Sequence, residues 1–197
     1  VHIKRVESVN GKNKEISDSI EYFKELRLNM KDNDQNSMWF NWESVGNGRF
    51  NLVSNTFNIQ SKKLHRFSTH SGTSAIEIKK DNHFYNLDEF KWGLGQAFDL
   101  KVDKQTLETS VKEWDEFSIK LDKMLEDGKS DLEILKELES DIKSGEPEHM
   151  LLGIVEYRAF KSHDFENDGR FESVMIAETD EVTGGYMYFH LAKNALE

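Results

Sequence analysis

The chain has no cysteine, one proline, and no stretch approaching eighteen consecutive apolar residues. The absence of thiols excludes a disulfide framework, a thiolate metal site, an iron–sulfur centre and a cysteine nucleophile. The absence of a long apolar run excludes a membrane-spanning helix. Residues 1–20, VHIKRVESVNGKNKEISDSI, also lack the apolar stretch of a signal peptide, so the expected location is cytoplasmic. GxxxxGK[ST], GxGxxG and GxSxG patterns are missing as well, leaving no phosphate loop, dinucleotide fingerprint or nucleophile elbow. Val1 stands where an initiating methionine would, which raises the expectation of a fragment excised from a longer protein.

What is present is charge, unevenly placed. Of 197 residues, 32% are charged and the formal net charge is -11. Residues 1–99 carry fourteen Lys/Arg against thirteen Asp/Glu, whereas residues 100–197 carry twelve against twenty-four. Residues 103–148 alone hold fifteen acids and seven bases. The overall charge disfavours non-specific nucleic-acid binding, which needs a concentrated positive surface. A chain of this length buries roughly 70% of its extended-chain surface, enough for a core without metal or disulfides.

Hydrophobic spacing outlines the elements. Ile16, Ile20, Phe23, Arg27 and Met30 fall near one face of a helix over 13–30, with Asp18 and Glu21 spaced as a capping box. Period-two alternation predicts strands over 37–42, 49–59 and 63–67, the first two joined by a Gly-Asn-Gly hairpin turn. A short strand follows over 74–80, with Ile76 and Ile78 inward and Glu77 and Lys79 on the other face. Asn86 and Glu89 suggest a second capping box ahead of a short helix carrying Phe90, Leu94 and Phe98. Leu107, Val111, Trp114, Phe117, Leu121 and Leu125 trace a longer helix closed by Gly128. Ser130 and Glu133 open the next helix, built on Leu132, Leu135, Leu138 and Ile142. After Pro147, strands are expected over 150–160, 170–178 and 186–191. The reading is one α+β domain over 1–197, mainly an antiparallel sheet with a packed αα-hairpin and an additional N-terminal helix. Stretches 99–103 and 144–149 are the places where two lobes would divide. The acidic hairpin lies within 103–145.

Two functional readings follow. The first is a non-enzymatic protein-interaction or regulatory module whose acidic helical face, including Glu126, Asp127, Glu133, Glu137 and Asp141, engages a partner with a basic surface. Trp39, on the strand face opposite Met38, Phe40 and Trp42, joins it with Trp92 as an aromatic anchor. The first reading implies no cofactor. The second starts from Ala75-Ile-Glu77-Ile-Lys79, which over about six residues resembles the strand of metal-dependent restriction-type nucleases. That resemblance implies Mg2+ held by Glu77 and an upstream acid, here Glu43 or Asp34, with Lys79 orienting or activating water near phosphate. Neither the seven histidines, none of them in HExxH spacing, nor the Asp164–Gly169 segment, which has Met175 where a calcium loop ends in glutamate, forms a compact metal motif. The latter reads as an Asp-Gly turn.

Overall fold

The computed structural model describes residues 2–35, 37–44, 50–54, 57–69, 75–80, 84–142 and 146–175. Among the described residues the fold is α+β, with six α-helices and two small antiparallel sheets.

Helix α1 spans His2–Asp32 and so runs through Gly11 and beyond the helix expected over 13–30. Asp18 and Glu21 therefore sit inside α1, where backbone N–H groups already have intrahelical partners, and form no capping box. Strands β1 (Trp42–Ser44) and β2 (Phe50–Leu52) pair with Trp42 opposite Leu52, Glu43 opposite Asn51 and Ser44 opposite Phe50. The expected antiparallel pairing is thus present but short and shifted, since residues 37–41 form no strand and the Gly-Asn-Gly turn lies outside the described residues. Its second strand ends at Leu52, and farther along the Asn58 side-chain oxygen accepts from the backbone N–H groups of Gln60 and Ser61, turning the chain at Ile59. The strand expected over 63–67 is instead helix α2 (Lys63–Phe67), held by the Arg66 guanidinium donating to the carbonyls of Ile59 and Gln60. Rings fill the space between α1 and α2: Phe57 stacks on His65 at 4.7 Å and on Phe40 at 5.7 Å, and meets Phe23 edge-on at 5.3 Å.

The main core lies among four helices: α3 (Leu87–Ala97), α4 (Leu107–Glu126), α5 (Asp131–Ile142) and α6 (Pro147–Ser162). Helix α3 packs against both α4 and α6, and α6 packs against α5. Phe90, Leu94, Phe98, Trp114, Leu121, Ile134, Leu138, Met150 and Ile154 are buried together between them. Gly153 lets α6 approach α3 closely, since a Cβ there would lie 2.9 Å from the Ala97 methyl and 3.0 Å from the Phe98 ring. Helix α4 begins at Thr106, whose hydroxyl accepts from the Thr109 N–H. It ends before Gly128, which adopts φ +73°. Glu133 then accepts from both the backbone N–H and the hydroxyl of Ser130, as the capping-box spacing predicts. Asn86 does not cap α3. It adopts φ 57°, and its amide donates to the Glu77 carbonyl.

Residues 150–160 form α6 rather than the expected strand. An unbroken apolar run fits either period, and here burial follows Met150, Gly153, Ile154 and Tyr157 at helical spacing, with Pro147 at the first helical position. The second sheet has the order β4 (Phe84–Tyr85), β3 (Ile76–Lys80), β5 (Arg170–Ser173), antiparallel throughout. Ile78 and Phe171 point from it into the helical core. The strand expected over 186–191 and the later part of that over 170–178 lie outside the described residues.

Candidate interaction surface

Three surface regions carry the residues singled out by the sequence. The first is the outer face of β3 and β5. Glu77 stands opposite Glu172, and Lys79 opposite Arg170, so like charges face each other across the ladder. The arrangement is stabilised by attraction along and diagonally across the strands: Lys79 donates to Glu77 at 2.9 Å, Arg170 reaches Glu77 at 3.2 Å, and Arg170 lies 3.9 Å from Glu172. The Lys79 ammonium, then the Arg170 guanidinium, hold the Glu77 carboxyl below its ordinary range. Glu43 sits exposed on β1, in the other sheet. The second carboxylate beside Glu77 is Glu172, a partnership set by strand register and hidden in the linear sequence. Among the described residues, no three or more His, Asp or Glu side chains are arranged to hold a metal ion.

The second region is the pair α4–α5. Six of its acids are tied to cations: Glu108 to Lys112, Asp115 to Lys91, Asp122 to Lys161, Asp131 to Arg158, Glu137 to Lys129 and Asp141 to Lys120. The bond to Glu137 raises the Lys129 pKa, and that to Lys120 lowers the Asp141 pKa. Glu133 is likewise held low, by the Ser130 hydroxyl and then its N–H. Glu116, Glu126 and Asp127 are exposed and form no ion pair among the described residues. Glu126 and Asp127 occupy the C-terminal end of α4, where the helix dipole is already negative. Local stability favours a cation at that position, and the nearby Lys129 ammonium offsets the Asp127 charge in part. Between the helices and the sheet, the buried Glu156 accepts from the Ser173 hydroxyl at 2.7 Å and the Val174 N–H at 3.2 Å, through the same oxygen.

The third region is aromatic. Trp39 is 93% exposed, whereas Trp92 is half-buried and donates its indole N–H to the Val102 carbonyl at 3.2 Å. Trp92 therefore braces the connection between α3 and α4, leaving Trp39 as the open ring. His65 is fully buried: its Nδ1 accepts from the Asn58 N–H, and its Nε2 finds no hydrogen-bond partner among the described residues.

Residues 1–69, about a third of the chain, match the family model described as virion DNA-directed RNA polymerase domain. Neither a curated protein nor a solved structure matches the chain. The matched segment ends just past α2, the helix through which the N-terminal part packs on α6. It carries eleven Lys/Arg against eight Asp/Glu, and the remaining chain fifteen against twenty-nine. The electrical division of the chain thus falls near the limit of the match. No helix among the described residues is long and apolar enough to cross a membrane.

Proposed function

We propose that this chain is a non-catalytic interaction module that works with a virion DNA-directed RNA polymerase, offering the acidic end of α4 to a basic surface of that assembly. The observation that carries the reading is the pair Glu126 and Asp127, exposed and placed against the helix dipole, with Asp127 feeling only the through-space charge of Lys129, which is itself bonded to Glu137. The likeness of residues 1–69 to a polymerase domain supports the choice of partner. Trp39 adds a second, aromatic contact point of the kind that anchors protein interfaces. The test is co-sedimentation with a purified virion RNA polymerase at low and high salt. Changing Glu116, Glu126 and Asp127 together to Lys is expected to weaken association about tenfold and to reverse its salt dependence. Unchanged affinity in that triple variant would discard the acidic surface.

A second reading, Mg2+-dependent phosphoryl transfer, is favoured by one observation: Glu77, Glu172 and Lys79 share a sheet face. Arg170 and Lys79 already neutralise Glu77, which weighs against metal capture there. Nuclease activity that requires Mg2+ and disappears in Glu77→Gln would move this reading to first place.

A further inference from the structure

The stripe Ile20, Phe23, Arg27 and Met30, whose spacing marks it as a core-facing helix side, is only partly covered by the rest of the described chain. It forms one wall of a groove of about 790 Å3. Met38 and Leu64 line the rest, together with Leu26 and the polar Gln35, Ser68 and Thr69. Ile20 is 43% exposed, while Phe23 is turned partly away against Phe57 and His65.

The charges on this groove are of one sign. Lys24, Arg27 and Lys31 line it and no acid does, on a chain whose net charge is -11. Lys24 is tied to Glu21 at 2.8 Å. Arg27 and Lys31 are exposed and have no ion-pair partner among the described residues, so two positive charges rim the apolar floor.

We infer that this groove is a docking site for an acidic amphipathic helix of another protein. From Ile20 to Met30 the apolar wall spans about 15 Å, nearly three turns, which matches a helix presenting anchors at i, i+3 or i+4 and i+7. Apart from the partly turned-away Phe23 ring, the apolar lining is aliphatic and thioether, suited to Leu or Phe anchors, and the two methionines adapt their shape to them. A nucleic acid would instead need open rings for stacking and a longer track of cations. Arg27 and Lys31 select acidic residues beside the anchors. This surface differs in position and sign from the acidic end of α4, so either assignment stands or falls without the other.

The test uses the full chain and two synthetic probes: an amphipathic helical peptide with Leu anchors at i, i+3 and i+7 and Glu elsewhere, and the same peptide with Lys for every Glu. Fluorescence anisotropy is expected to detect the Glu peptide and to find at least tenfold weaker binding of the Lys peptide. Arg27→Glu combined with Lys31→Glu is expected to invert that preference, with only a small loss of helicity by circular dichroism, because both side chains are exposed and Lys31 alone lies in the last turn of α1. The Met30 and Met38 methyl resonances are expected to shift on adding the Glu peptide. Several results overturn the inference: binding of neither peptide, equal binding of both, unmoved methyls, or competition by a duplex DNA oligonucleotide. Concentration-dependent self-association that the double variant abolishes assigns the groove to a second copy and also overturns it.

Discussion

The His149 imidazole stacks on the Phe67 ring at 4.3 Å between centroids and 11° between planes. This contact joins α2, the last helix of the family-matched segment, to the start of α6. Lys63 adds an ion pair to Glu146 at 2.7 Å beside it, with both side chains partly exposed. Burial of Phe67 outweighs that pair, so Phe67→Ala is expected to cost about 3 kcal/mol in chemical denaturation. Lys63→Ala is expected to cost less than about 1 kcal/mol. Equal losses in the two variants would show that the ring contact is not the main tie.

Gly153 is the point of closest approach between α3 and α6. Gly153→Ala brings a methyl within 3.0 Å of Ala97 and Phe98 atoms, both in a packed core. The helix preference for Ala over Gly gains about 1 kcal/mol, but overpacking costs roughly 1–3 kcal/mol. Net destabilisation is expected in thermal unfolding. A raised midpoint would mean that α6 shifts away from α3 without penalty.

His65 makes stability depend on pH. Burial is the main reason its pKa lies below the ordinary imidazole value; nearby Lys62 adds to the depression and Glu15 opposes it. Protons therefore bind the unfolded chain more readily at this site. Its contribution is fully present above about pH 6.5 and is lost as pH falls from there through the depressed folded value. His65→Phe keeps a ring against Phe57 but removes the acceptor for the Asn58 N–H, at a cost of about 1 kcal/mol at pH 8. Its stability is expected to fall less than that of the parent protein between pH 7 and pH 5. Parallel pH profiles would remove His65 as the source.

Glu156 accepts both of its bonds through one oxygen. Glu156→Gln can present a carbonyl oxygen at that position and is expected to stay within about 1 kcal/mol of the parent. Glu156→Ala strands the Ser173 hydroxyl and the Val174 N–H and is expected to cost about 2–3 kcal/mol. Urea titration of both variants checks the difference.

The elements legible in the sequence were those with one buried face and clear ends. Helices α4 and α5 carry apolar stripes bounded by Gly128 and the Ser130–Glu133 box, and β3 alternates Ile76 and Ile78 with Glu77 and Lys79. Segments α2 and α6 misled because short or continuous apolar runs fit both a strand and a helix. Non-local pairing was also hidden. Nothing in the order of residues places Glu172 beside Glu77, or Lys91 against Asp115, and the ion pairs change how much of the acidity remains open. For Trp39 and Trp92 the sequence offered one aromatic patch, while the Val102 carbonyl draws Trp92 into the packing between α3 and α4.

The tryptophans are distributed so that the chain carries its own optical labels. Trp39 and the half-exposed Trp42 belong to the polymerase-like segment, while Trp114, 2% exposed, and the half-buried Trp92 belong to the helical body. A dissolved collisional quencher therefore extinguishes light from the first pair and largely spares the second. Occupancy of the N-terminal surface and loosening of the body can be read as separate components of a single emission spectrum, with no dye attached.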